Sequence, residues 1–259
     1  MANTGRTVSR YTRLWGGTSS AAYDLSGDVT AVGQLGTEFE EDTLNTLSWD
    51  VKGTFLGRPT FSIGPVNTLM NADDSTKLIH DRMVAAQGAL QTLIAAIGIR
   101  AAPTYGDPAF CGKFQLKHYT GIEGSVSLIM SSNYVPTTPA GLNYSKAWGA
   151  VVHPLGAETG ANTGTANVVN NGAATSAGGY LVYVLTSLNA GNVTISIDDS
   201  ADGSTYAALS GATSGALTAA GAGIVQLSTT ATVRQYLRWQ IALAGGANTA
   251  TFATAFVRG

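Results

Sequence analysis

The chain has 259 residues, a formal net charge of −2 and only 12% charged side chains, against about 25% in an ordinary soluble domain. That balance excludes a basic footprint for tight nucleic-acid binding, and the single cysteine, Cys111, excludes an internal disulfide framework and a Cys-based zinc site. No apolar run approaches the roughly 18 residues of a membrane-spanning helix, and the opening MANTGRTVSRYTRLWGG has no apolar export core, so synthesis and assembly in the cytoplasm are expected. Seven of the thirty charged residues fall beyond position 155, which predicts two domains with different surfaces.

Period-two alternation, the mark of half-buried strands, dominates the chain. The acidic run EFEED, Glu38 to Asp42, sits in an otherwise neutral β-rich stretch. It reads as a charged edge that resists stray strand pairing, or as like charge placed at an inter-subunit contact or facing a polyanion that must slide without sticking. SWDVKGT and RPTFSIG read as a strand pair joined by FLG. The helix signal is DDSTKLIHDRMVAA, with Asp74 or Ser75 as N-cap and a partial apolar face of Leu78, Ile79, Met83 and Val84. It is expected to end near residue 86, because Gly88 and the β-branched Thr92, Ile94, Ile97 and Ile99 favour a buried strand. GKFQLKHYT puts Phe114, Leu116 and His118 on one face and Lys113, Gln115 and Lys117 on the other. GIEG then turns the chain into GSVSLIMSS, with Val126, Leu128 and Met130 against serines.

From Pro154 to Gly179 large side chains nearly vanish, which reads as a linker and places a domain boundary near 160. The remainder looks wholly β. GYLVYVLT is a buried strand, and NVTISID turns Val193, Ile195 and Ile197 inward. VRQYLRWQIAL aligns Val233, Leu237, Trp239, Ile241 and Leu243, and TATFATAFVR closes the chain with Phe252 and Phe256. Strands separated by Gly- and Ser-rich turns predict an antiparallel sandwich.

Few residues suggest chemistry. ISIDDSADGSTYAAL offers Asp198, Ser200, Asp202 and Gly203 at calcium-loop spacing, but the twelfth position is Leu209 where a bidentate carboxylate belongs. Asp-Gly is favoured in tight hairpin turns, so a turn is expected and no metal is assigned. GGTSSA and GATSG fall short of a nucleophile elbow, GTGTAN and GAGIV lack the setting of a dinucleotide site, and His80, His118 and His153 read as structural. No catalytic residue, metal ligand or cofactor is therefore expected.

Taken together, YDLSGDVTAVG, DTLNTLSWDVKGTFLGRPTFSIGPV, the helix at STKLIHDRMVAA and GIRAAPTYGDPAFCGKFQLKHY resemble the major tail tube protein of long-tailed, non-contractile bacteriophages over roughly residues 10–155. VNNGAATSAGGYLVYV, RQYLRWQIAL and ATFATAFVRG resemble a β-sandwich appended to several phage tail proteins. The resemblance implies a mainly β chain: a tail-tube-type β-sandwich with one flanking helix at 1–160, and an external antiparallel β-sandwich domain at 161–259. It implies hexameric rings that stack into a tube, through which DNA passes into the host without tight binding. It also implies a place in the virion tail, beside tape measure, tail terminator and tail-tip proteins. On that analogy Glu38, Glu40, Glu41, Asp42 and Asp50 are candidates for the lumen or the ring-to-ring contact. Trp15 and Trp49 are candidates for the subunit interface, or for the core. A rival reading is a glycan-binding tail-tip or fibre protein, with Tyr180, Tyr183, Tyr206 and Trp239 as sugar platforms.

Overall fold

The structure is a computed structural model that describes residues 11–44, 53–69, 78–99, 101–123, 129–136, 146–160, 162–246 and 249–259. In chain order the elements are β1 (Thr12–Thr18), β2 (Ala21–Asp24), β3 (Val29–Val32), β4 (Leu35–Leu44), β5 (Gly53–Leu69), α1 (Leu78–Ala85), β6 (Leu90–Ile97), β7 (Pro108–Glu123) and β8 (Ile129–Pro136). There follow β9 (Trp148–Thr159), β10 (Asn162–Thr163), β11 (Val169–Asn170), β12 (Gly179–Leu188), β13 (Asn192–Ser200), β14 (Ala207–Leu217), β15 (Gly221–Gln226), β16 (Tyr236–Ala244) and β17 (Thr249–Arg258). The protein is mainly β, with antiparallel sheets throughout, as the alternation predicts.

One sheet of twelve strands runs β15-β12-β17-β9-β7-β6-β1-β2, with β8, β5, β3 and β4 branching from β7; the other has five strands, β10-β16-β13-β14 with β11 beside β16. The larger sheet curls on itself. Trp15, Ile94 and Cys111 of β1, β6 and β7 share a core with Val182, Val184, Ala253, Ala255 and Val257 of β12 and β17. The curl brings the β1–β2 turn onto the start of β15, where the Ser19 carbonyl fills the space a side chain at Gly221 would need.

Side-chain alternation then stacks three cores in succession. On β1 and β6, Leu14, Leu93 and Ala95 face a first core completed by Ile63, Val66, Met83, Phe110 and Phe114, while Trp15, Ile94 and Ala96 face the second. On β12 and β17, Tyr180, Val182, Ala255 and Val257 line the second core, while Leu181, Leu185, Phe252 and Phe256 line a third against Val193, Ile195, Ile197, Leu237 and Trp239 of the smaller sheet. Strands covered on both faces read as unbroken apolar runs, which is why GYLVYVLT does not alternate. Phe110, Phe114 and Phe252 have no exposed surface, and each such burial is worth about 1.5–3 kcal/mol.

Several local expectations are corrected. FLG is no hairpin turn but lies inside the 17-residue β5, where Gly57 and Arg58 together oppose the single residue Glu40 between the pairs Phe39–Pro59 and Glu41–Leu56; the glycine marks a bulge, which sequence alone confuses with a turn. Residues 154–159 are not linker but the second half of β9, paired with β17 from Gly156–Phe252 to Thr159–Thr249, so the twelve-stranded sheet contains strands from both sides of position 160. The helix ends at Ala85 and a strand follows Gly88, as expected, but Val84 and Ile99 are exposed, and the N-cap candidates Asp74 and Ser75 lie outside the described residues. The expected turn at GIEG is also corrected: Gly121, Ile122 and Glu123 belong to β7, Glu123 pairs with Ile129, and Val126 and Leu128 lie outside the described residues.

Candidate functional site

The acidic run lies on β4, whose strand partner among the described residues is β5. β8 pairs with β5 from Ile63 to Leu69 and β3 from Val66 to Thr68. Residues 37–44 and 53–61 therefore project as a two-stranded ribbon, an arrangement marginal in water on its own. Residues directly opposite in a ladder share a face. One face carries Leu35 with Ile63, Thr37 with Phe61, Phe39 with Pro59 and Glu41 with Leu56. Its inner end belongs to the first core, where Ile63 is buried and Leu35 and Phe61 are packed against it. Its outer end leaves that core: Phe39 is 46% and Leu56 66% exposed. Among the described residues, the apolar face thus continues beyond the first core.

Glu38, Glu40 and Glu41 are exposed, and Asp42 holds the register position opposite Phe55. Two carboxylates about 7 Å apart along one strand face repel by only about 0.6 kcal/mol in water, so solvent tolerates the cluster and an approaching cation would relieve it. Asp50 and Trp49 lie outside the described residues. Trp15 is 3% exposed, its indole enclosed by the second core. The exposed pair Phe39 and Leu56 was not singled out from sequence; the available signal was a phenylalanine inside an acidic run.

The DSADGS segment is the turn between β13 and β14. Asp202 Oδ1 accepts the Ser204 and Thr205 N–H groups, each at 2.8 Å, and the Ser200 hydroxyl at 2.8 Å. These bonds, the backbone ones first, hold its carboxyl well below the usual range. Gly203 takes φ +74° with the Tyr236 ring 3.4 Å from where a Cβ would sit, which explains a glycine here. Asp198 accepts two bonds from Arg238, at 2.9 and 3.1 Å, and Asp199 accepts the Arg234 N–H at 2.9 Å. All three carboxylates are engaged by protein groups.

His153 is buried between β9, β16 and β17. Its ring stacks on Phe252 at 4.3 Å and meets Trp239 at 4.5 Å; Nδ1 lies 3.1 Å from the Phe252 carbonyl and Nε2 3.0 Å from Glu158 Oε1. Burial pushes its titration below the ordinary histidine value, with Glu158 opposing. Burial also raises the Tyr105 phenol nearby, reinforced by the Glu158 charge. His118 is exposed, with Nε2 2.7 Å from the Thr120 hydroxyl. Cys111 is wholly enclosed and its thiol pushed far up by burial, the reverse of what a nucleophilic cysteine requires.

The four aromatics of the sugar-platform reading do not share a surface. Tyr180 is 5% exposed and donates its hydroxyl to the Lys146 carbonyl at 2.7 Å. Trp239 is 2% exposed in a different core. Tyr206 lies beneath the Arg238 guanidinium at 4.1 Å. A groove of about 670 Å³ separates the β1–β2 turn from α1; Tyr23, covered at 4.4 Å by Arg82, and Asp81 line it with hydroxyls and alanines, and no histidine or cysteine borders it among the described residues.

No protein-family model and no curated protein matches the chain. Among solved structures, the SPP1 Dit (gp 19.1) protein, described as a paradigm of the hub adsorption apparatus in Gram-positive infecting phages, aligns over 95% of this chain and 98% of its own, at 10% identity and a TM-score of 0.32. A structure of the infectious bursal disease virus Gx strain aligns over 98% of this chain and 69% of its own, at 12% identity and a TM-score of 0.24. Neither likeness is close enough to carry function.

Proposed function

We propose that this chain is a non-enzymatic structural subunit of a phage tail, one that associates with copies of itself into stacked rings forming the tail tube. The observation that carries the reading is the β4–β5 ribbon, whose apolar face runs past the chain's own core to Phe39 and Leu56. A two-stranded ribbon with such a face gains stability when a neighbour covers it. A contact between two different patches of identical chains closes into rings or extends into filaments. The sequence resemblance to tail tube proteins supplies the biological setting, and in it the acidic side chains would discourage DNA phosphates from adhering. Negative-stain electron microscopy of the purified chain, with light scattering on the same sample, tests the proposal. Rings or tubes with a lumen wide enough for a DNA duplex are expected; a monomer at all accessible concentrations, or a compact trimer without a lumen, overturns it.

A further inference from the structure

The acidic ribbon has a counterpart elsewhere on the same chain. Leu90 pairs with Gln115 and Thr92 with Lys113, so Leu90, Gln115 and Lys113 share the face opposite Leu93 and Phe114, which are buried in the first core. Leu90 is 44% exposed. Lys117 is exposed beside them, at the irregularity in β7 between the pairs Leu116–Tyr134 and His118–Asn133. Neither Lys113 nor Lys117 forms an ion pair with another described residue, and the same holds for Glu38, Glu40 and Glu41. In a chain with so few charges, one surface thus joins the exposed Phe39 and Leu56 to the Glu41 carboxylate, with Glu38 and Glu40 on the reverse face, and a second joins an exposed leucine to two lysines, none of these charges paired among the described residues.

We propose that the β4–β5 ribbon of one copy docks on the Leu90–Lys113–Lys117 strip of the next. The inference rests on the self-association proposed above and names its two surfaces. Ribbon against ribbon, or strip against strip, would set like charges together, whereas ribbon against strip pairs opposite charges around a shared apolar contact. Phe39 and Leu56 supply that contact from one side and Leu90 from the other.

The test uses three full-length variants followed by light scattering against concentration: Glu41→Lys on the apolar face of the ribbon, K113E/K117E on the strip, and the three changes combined. All three positions are on the surface or half-buried, and circular dichroism checks that each variant keeps its fold. Each reversal is expected to raise the concentration needed for assembly about tenfold, and the combination to return within about threefold of the parent chain. Mixing the two defective variants restores assembly as well, because each then carries the complement of the other, and this also shows that neither has failed to fold. Lys146→Glu, at an exposed lysine near the exposed Trp148, leaves assembly unchanged. The pairing is overturned if the reversals have no effect, if neither combination nor mixing rescues, or if Lys146→Glu is the damaging change. A parent chain that never associates overturns the pairing and the functional reading together. A closed two-copy complex with charge rescue overturns only the ring.

Discussion

Removing the two members of the Asp198–Arg238 pair has unequal consequences. Arg238 Nε and Nη2 both donate to Asp198 Oδ2, at 3.1 and 2.9 Å, and the guanidinium lies 4.1 Å from the centre of the Tyr206 ring. The Asp198 side chain is 6% exposed and that of Arg238 19%. In Arg238→Met the stem still covers Tyr206, but the carboxylate loses its cation while remaining buried and keeps only the neutral Gln240 amide, 3.0 Å from Oδ1; breaking a buried pair in this way costs about 3 kcal/mol, the lower end of the range for an uncompensated buried charge. In Asp198→Asn an acceptor remains, and the longer, less buried arginine can turn its head to water, so the cost falls to about 1–2 kcal/mol. Urea unfolding followed by circular dichroism measures both. At an m-value of about 3 kcal/mol/M the arginine variant loses about 1 M or more in midpoint and the asparagine variant about half that or less. Equal losses from both variants would refute the reasoning.

Two further outcomes follow from buried titratable groups. Because burial depresses the His153 value in the fold, the unfolded chain takes up the proton first: this residue's contribution to stability is complete above the ordinary value of about 6.5 and is lost as pH falls through the lower folded value. The melting temperature of the parent chain should fall across that window more steeply than that of His153→Gln, and parallel curves would remove the residue from the account. Cys111 should resist iodoacetamide at pH 8 in the native protein and react fully in urea, since its thiol is both enclosed and pushed up by burial; rapid native labelling would show that the second core opens.

What was legible in the sequence is what depends on local pattern. Alternation located Val193, Ile195 and Ile197 in the core, and the helix ended where Gly88 and the β-branched residues beyond it required. The Asp-Gly turn was readable because Leu209 stands where a calcium loop needs a carboxylate. What could not be read depends on partners distant in the chain. The second half of β9 looks like linker because Gly156 and Ala157 carry little apolar signal, yet β17 pairs with it along its length. Alanines and glycines are what closely stacked layers demand: Ala95, Ala96, Ala253 and Ala255 have no exposed surface, and a side chain at Gly149 would strike the Phe256 carbonyl. A composition typical of loops is here a consequence of dense packing.

The same dependence on distant partners limits what EFEED reveals. As sequence it is five residues, four of them acidic, and a solvated edge accounts for it fully. The fold adds that Phe39 belongs to a face shared with Ile63 and Phe61, and that Leu56 beyond the bulge extends that face still further from the core. Had the bulge been absent, the one-residue change of register would have turned Leu56 onto the face of Glu38 and Glu40. The bulge instead keeps the exposed apolar side chains together on one face, with Glu38 and Glu40 on the other and Glu41 at the apolar rim. An edge protected by charge alone requires no such sorting. A surface that must be covered in one orientation by a neighbour does, and this sorting is why the ribbon, rather than the acidic run by itself, carries the proposal of self-association.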